Sequence, residues 1–182
     1  KLVDLKAIVF GRGPGSFTGL RTSCAIAQGL ALGAELPLLP IDTLLAVAEE
    51  ARHQHGCTDV MAVLDARMSE VYHAGYRWAD GLWQATHALG VCAPEALTVP
   101  APAVVVGNAQ AAYPDRLAPA AQHMAALPTA TALLRLAPTL IADGHLIQAS
   151  YALPLYIRDK VAKTTAEREA ERQAAEPPHP HA

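Results

Sequence analysis

The sequence has 182 residues, of which 52% are hydrophobic and 17% charged, and its formal net charge is −3. That composition excludes a disordered tail and suits one or two domains with buried cores. The mildly acidic balance argues against a protein that grips nucleic acid unaided, which would carry a basic field; any RNA would be held mainly by another subunit.

In chain order, the opening at Lys1 lacks an initiator Met and reads as a processed or incomplete amino terminus. Lys6 to Phe10 is a short apolar strand that runs into a glycine-rich loop of Gly11, Gly13, Pro14, Gly15 and Ser16. Thr18 to Ala34 follows as a helix, with Ser16 or Thr18 as its cap and Gly33 and Pro37 to stop it. Leu38 to Ile41 is a second short strand, and Asp42 or Thr43 caps a helix reaching about His53. Strand, loop, helix, strand, helix is the order of a parallel α/β layer. From Asp59 the period changes to two. "DVMAVLDA", "SEVYHAGYRW" and "LWQATHAL", with "ADG" as a tight turn, predict an antiparallel meander. A helical turn at Ala93–Leu97 and a buried strand "AVVVGN" come next. Tyr113 to Pro128 reads as a surface connection. Thr129 to Ala142 reads as a helix that Pro138 should kink or end. The last residues, "EREAERQAAEPPHPHA", form a charged tail.

The glycine loop has the small residues and the following helix that an anion site needs. Neither standard nucleotide signature fits it. No Lys precedes the Ser or Thr, and a G-x-G-x-x-G pattern starting at Gly11 or Gly13 meets Ser16 or Thr18 at its third glycine. A structural turn, with Pro14 fixing φ between glycines, is the stronger alternative to a nucleotide loop. The helix behind it carries Arg21 as its only charge, and Leu20, Cys24, Ala27 and Ala31 share one side. A helix apolar nearly all round is buried nearly all round, so either this chain or another protein covers its outer face.

Four segments together, "GRGPGSFTGLR", "AIAQGLALGAELPLLPIDTL", "LDARMSEVY" and "PLYIRDKVAKTTAER", resemble the bacterial TsaB (YeaZ) family across about residues 6–168. The resemblance implies an accessory subunit for making threonylcarbamoyladenosine in tRNA, formerly grouped with glycoproteases. It implies an α/β, two-lobed actin-like/RNase-H-like ATPase fold whose first lobe is incomplete in this chain. The lobes would divide as the remainder of the first lobe at 1–57 and the second lobe at 58–128. A C-terminal helix at 129–148 and a C-terminal segment with its tail at 149–182 would complete the chain. The partner would be a TsaD-type catalytic subunit, met through Phe17, Thr18, Leu20, Arg21, Cys24, Gln28 and Ala31. Homodimer formation through the same face, recruitment of a TsaE-type ATPase subunit and a mostly indirect contact with tRNA are further implications.

Departures from an active ATPase pattern argue against catalysis by this chain. Asp65-Ala66-Arg67 stands where such folds carry Asp-x-Gly, Glu70 adds negative charge nearby, and "VVVGNAQ" has the single Gly107. No catalytic residue and no metal site is therefore expected, and ATP and metal belong to the partner subunit. His53 and His55 are too close in sequence for the two-His metal pattern of the catalytic relatives, and His179 and His181 sit in the tail. The alternative is an ATP-dependent transferase or glycoprotease-type hydrolase in its own right. Arg158, Lys160, Lys163, Arg168 and Arg172 are locally basic but interleaved with Glu167, Glu169 and Glu171, which suits a solvated segment better than an RNA patch. Cys24, Cys57 and Cys92 are scattered and read as buried free thiols of a reducing compartment. With no signal peptide and no bilayer-length apolar run, a cytoplasmic location without membrane contact is expected.

Overall fold

The computed structural model describes residues 4–158. Two sheets organise them. β1 (Ile8–Gly13) and β2 (Leu38–Asp42) pair in parallel, joined by helix α1 (Phe17–Ala34). After β2 comes helix α2 (Thr43–His55), and then the meander β3 (Asp59–Arg67), β4 (Glu70–Ala79) and β5 (Leu82–Cys92). β6 (Val104–Gly107), the short helix α3 (Ala109–Ala112) and β7 (His123–Ala125) complete a five-stranded sheet in the order β5-β4-β3-β6-β7. Helix α4 (Ala130–Ala142) and a strap of residues 149–158 close the structure.

Strand alternation assigns each sheet two buried faces. On the first sheet, Ile8, Phe10 and Leu38 point at α1, whereas Val9, Leu39 and Ile41 point at α4. On the second, Val60, Ala62 and Leu64 pack on Leu44, Val47 and Ala51 of α2, while Met61 and Val63 meet Val105 and Leu117 on the far side. The central strands are thus buried on two faces, which is why they read as continuous apolar runs, whereas the edge strand β5 is largely exposed. Burying each of these Leu, Val or Ile side chains contributes about 1.5–3 kcal/mol.

Local sequence explains most boundaries. α2 stops at Gly56, left-handed at φ 72, whose N–H bonds Arg52 O at 2.9 Å. Asp80-Gly81, with φ values of 53 and 78, makes the two-residue hairpin turn between β4 and β5. Thr129 caps α4 by accepting a bond from the Ala132 amide at 3.1 Å. Gly107 sits at φ 141, and a Cβ there would come within 1.9 Å of Val63 O, so no larger residue fits between β6 and β3.

Several expectations need correction. β1 runs on past Phe10 to Gly13, because Gly11 pairs with Ile41 and Gly13 with Asp42 on either side of a register shift. Pro138 does not end α4; the helix continues to Ala142, with Pro138 on its exposed side. The helix also stops short of residue 148. Gly144, at φ 80, turns the chain, and Ile147 bridges Leu38 by two backbone hydrogen bonds. The connection 113–128 contains β7 and the fully buried Leu117. Lys160, Lys163, Arg168, Arg172, Glu167, Glu169, Glu171, His179 and His181 lie outside the described residues.

Candidate functional site

The glycine loop and the start of α1 form one wall of a cleft of about 700 Å³ between the two sheets. The β3–β4 turn forms the opposite wall, and the strap crosses one end. What approaches the loop backbone is the chain itself. The Leu155 amide donates to Arg12 O at 2.7 Å, and a Cβ at Gly13, where φ is 124, would stand 2.6 Å from Leu155 O. Gly13 therefore has a packing reason that excludes a side chain. Ser16 precedes α1 without a side-chain capping bond, so its hydroxyl does not close the helix end. Gly13→Ala is expected to lower stability by about 2–3 kcal/mol, from a strained φ plus the clash. Amide exchange at Leu155 should quicken with it, and an unchanged melt with unchanged exchange would refute this packing role.

On the opposite wall, Arg67, Met68 and Ser69 all have positive φ, at 63, 54 and 57. The turn keeps a backbone suited to glycine while carrying side chains. Arg67 folds its exposed guanidinium onto Asp65 at 3.1 Å, and the Asp65 carboxylate also accepts from the Arg67 amide at 2.8 Å and Tyr113 Oη at 3.0 Å. Burial, then Asp65, pushes the Tyr113 phenol above its ordinary pKa. Glu70 is paired with Arg158 of the strap, which also donates to Arg67 O at 3.3 Å. The acidic groups of the cleft are thus engaged by neighbouring side chains. His55 Nε2 lies 3.1 Å from Ala125 O at the exposed end of α2, and among the described residues no cluster of three His, Cys, Asp or Glu could hold a metal. Cys24 and Cys57 are buried and Cys92 half-buried; all three are free thiols, pushed up in pKa by burial.

The helix α1 divides the partner-facing residues expected from sequence. Phe17, Thr18 and Arg21 are exposed at its amino-terminal end. Three other residues of that expected set lie on the opposite side of the helix. Leu20, Cys24 and Ala31 face inward, Cys24 and Ala31 at 4% and 1% exposure, because that side lies on Phe10 and Leu38 and on Ala149 and Ala152 of the strap. Gln28 is half-buried and donates to Ala149 O and Ala152 O at 3.1 and 3.2 Å. The outward side instead presents Ala25, Ile26, Gly29, Leu30, Leu32 and Gly33, with Ile26 58% and Leu32 68% exposed. Among the described residues a Cβ at Gly29 or Gly33 would meet nothing within 4 Å, so these glycines serve no packing there. Their four-residue spacing was a readable sign of this flat face.

A family model described as "TsaD: tRNA N6-adenosine threonylcarbamoyltransferase" matches residues 1–104. The "tRNA threonylcarbamoyladenosine biosynthesis protein TsaB" of Escherichia coli (strain K12) is 39% identical over 171 residues, covering 88% of this chain and 74% of that protein. The protein of the same name from Haemophilus influenzae is 38% identical, with 88% and 73% covered. This chain belongs to the TsaB family. Among solved structures, "YeaZ from Pseudomonas aeruginosa" superposes with a TM-score of 0.79 at 36% identity, covering 86% of this chain and 75% of that one. A second structure from the same organism, described as similar to peptidase YEAZ, gives 0.80 at 36% identity, with 87% and 76% covered. The α/β fold of this TsaB-family chain is that of its YeaZ neighbours and fits the actin-like architecture expected from sequence. No helix among its described residues is long and apolar enough to cross a membrane.

Proposed function

We propose that this TsaB-family chain is a non-catalytic scaffold subunit, which pairs with a TsaD-type catalytic subunit for threonylcarbamoyl transfer to an adenosine of tRNA. The observation that carries this reading is the outward face of α1. Ile26, Leu30 and Leu32 are exposed around two glycines on a helix whose only charge is Arg21. A contiguous exposed apolar face of this kind marks an interaction surface, and small residues let a second helix approach closely. The match of the first part of the chain to the TsaD family supports a partner that brings a related helix to the contact. ATP and metal belong to that partner, since Asp65 and Glu70 of this chain are committed to Arg67, Tyr113 and Arg158. A TsaE-type ATPase subunit joins the pair, tRNA is reached mostly through the partner, and the complex works in the cytoplasm. Without the catalytic subunit, two copies of the chain pair through the same face.

Gly29→Arg tests the reading. With nothing near the added Cβ, the isolated chain should melt at the same temperature or gain up to ~1 kcal/mol from losing a helix glycine. Pairing should weaken more than a hundredfold, because an arginine breaks the flat face and desolvating it costs about 3 kcal/mol or more. Co-elution of the folded variant with the TsaD-type subunit at wild-type affinity would remove α1 from the interface.

A further inference from the structure

We infer that the strap is part of the docking face, and that its Tyr156 holds the Arg21 guanidinium against Phe17 so that it receives a carboxylate from the facing helix of the TsaD-type partner. This rests on the pairing proposed above. Arg21 Cζ stands 3.7 Å from the centre of the Phe17 ring and 5.9 Å from that of Tyr156. Its Nε donates to Tyr156 Oη at 2.9 Å, and the two rings are 5.5 Å apart. Phe17, Arg21 and Tyr156 are all exposed, so this arrangement is built at the surface with no core to fill.

The pairing pattern of the arginines singles Arg21 out. Arg12, Arg52, Arg67, Arg77, Arg116, Arg135 and Arg158 each contact a carboxylate. Among the described residues, Arg21 is the one arginine without such a partner. A guanidinium has five donors, and this one spends its Nε–H on a tyrosine, which orients the remaining fork outward. Stacking on aromatic faces and weak hydration make arginine cheap to desolvate, and a planar fork matches a carboxylate bidentately. Position supplies the occupant. Arg21, Ala25 and Gly29 follow one another at four-residue spacing on the outward side of α1, so a helix laid on the glycines passes over Arg21. The cation-aromatic cluster therefore continues the apolar face at its amino-terminal end. Aromatic and arginine side chains held rigid in this way are the residue types that dominate interface energetics.

The test is titration of the full chain against the TsaD-type subunit, at low and high salt, with Arg21→Gln, Tyr156→Phe, the double variant and Gly29→Arg. Tyr156→Phe keeps the ring and removes only the acceptor of the Arg21 bond, so strap packing is retained. Each single variant should lose roughly tenfold in affinity and the double variant little more, since both changes disable one group. Melting temperatures should stay at the wild-type value, and Arg21→Gln should flatten the salt dependence of pairing. Wild-type affinity of Tyr156→Phe beside a weakened Arg21→Gln removes the strap from the face. Wild-type affinity of both, with Gly29→Arg unable to pair, overturns the inference and leaves the docking face standing. Pairing by Gly29→Arg overturns the docking face and the inference together. Losses seen only when tRNA is present assign the acceptor to a phosphate, and losses confined to self-association assign it to a second copy; either result overturns the inference.

Discussion

Ala31→Arg is expected to unfold the chain rather than to strip it of a partner. Ala31 is 1% exposed and packs with Phe10, Cys24 and Leu38 and with Ala149 and Ala152 of the strap. An arginine there has neither room nor an acceptor, and burying an unpaired charge costs several kcal/mol before the overpacking is counted. Against a total stability of about 5–15 kcal/mol, that loss is enough to populate the unfolded state at room temperature. Circular dichroism should show lost helix and a broad or absent melt. Gly29→Arg, two residues earlier on the same helix, should do the opposite and melt normally. The pair isolates the orientation of α1 from every other property of the substitution. A cooperative melt of the Ala31 variant within a few degrees of wild type would turn the helix around and restore Ala31 to the outer face.

Arg135→Ala should cost about 3–5 kcal/mol at neutral pH, and the cost should shrink in acid. Glu49 and Glu50 lie on α2 at 1% and 5% exposure. Arg135 of α4 donates to Glu49 Oε1 at 3.0 Å and also bonds Glu50. Arg52 forks onto Glu49 at 2.9 and 3.0 Å, and Trp83 Nε1 of β5 donates to it at 3.0 Å. Gln54 and Thr129 bond Glu50. Burial alone would push both carboxyls up, but these donors outweigh it and hold both pKa values below the ordinary carboxylate value. Removing Arg135 leaves buried carboxylates short of a cation, the circumstance in which breaking a pair is most damaging. Because the folded pKa values are depressed, the network's contribution is complete above the unfolded carboxylate pKa of about 4.3 and fades as pH falls through the lower folded values. Protonated glutamates no longer need the guanidinium. Melting temperatures of wild type and variant should therefore differ most at pH 7 and converge below about pH 4. A difference that stays constant across that range would mean that Arg135 acts by packing alone.

Periodicity made the architecture legible. The parallel strand–helix–strand unit, the meander with its Asp80-Gly81 turn and the buried strand at Val104–Gly107 follow from alternation and turn chemistry. The three-residue strand β7 does not, because it is too short for a pattern and sits in an Ala- and Pro-rich stretch. The orientation of α1 was also hidden. One charge in eighteen residues gives the helix no polar side, so Cys24 and Ala31 look as suited to an interface as Ile26 and Gly29. The two glycines were the better guide, since an interior face would have filled those gaps. The strap and the Glu49–Glu50 network depend on contacts between distant segments, and single-sequence patterns carry no such information. In the cleft, the replacement of glycine by Arg67 was visible, but not that the residues 67–69 would keep the left-handed backbone nonetheless.

The strap sets an order for synthesis. Gln28 bonds carbonyls 121 and 124 residues further along the chain, and Arg12 O waits for the amide of Leu155. While the β1–α1–β2 unit emerges from the ribosome, the inward side of α1 lacks the surface made by Ala149 and Ala152. That side is then covered only in part, by Phe10 and Leu38, while the outward side with Ile26 and Leu32 is bare. The meander can fold locally from its hairpins, but the inward side of α1 is completed only once translation passes residue 155. A nascent chain that met its partner earlier could offer the wrong side of α1, so completion of the carboxyl-terminal strap also decides which side remains for assembly.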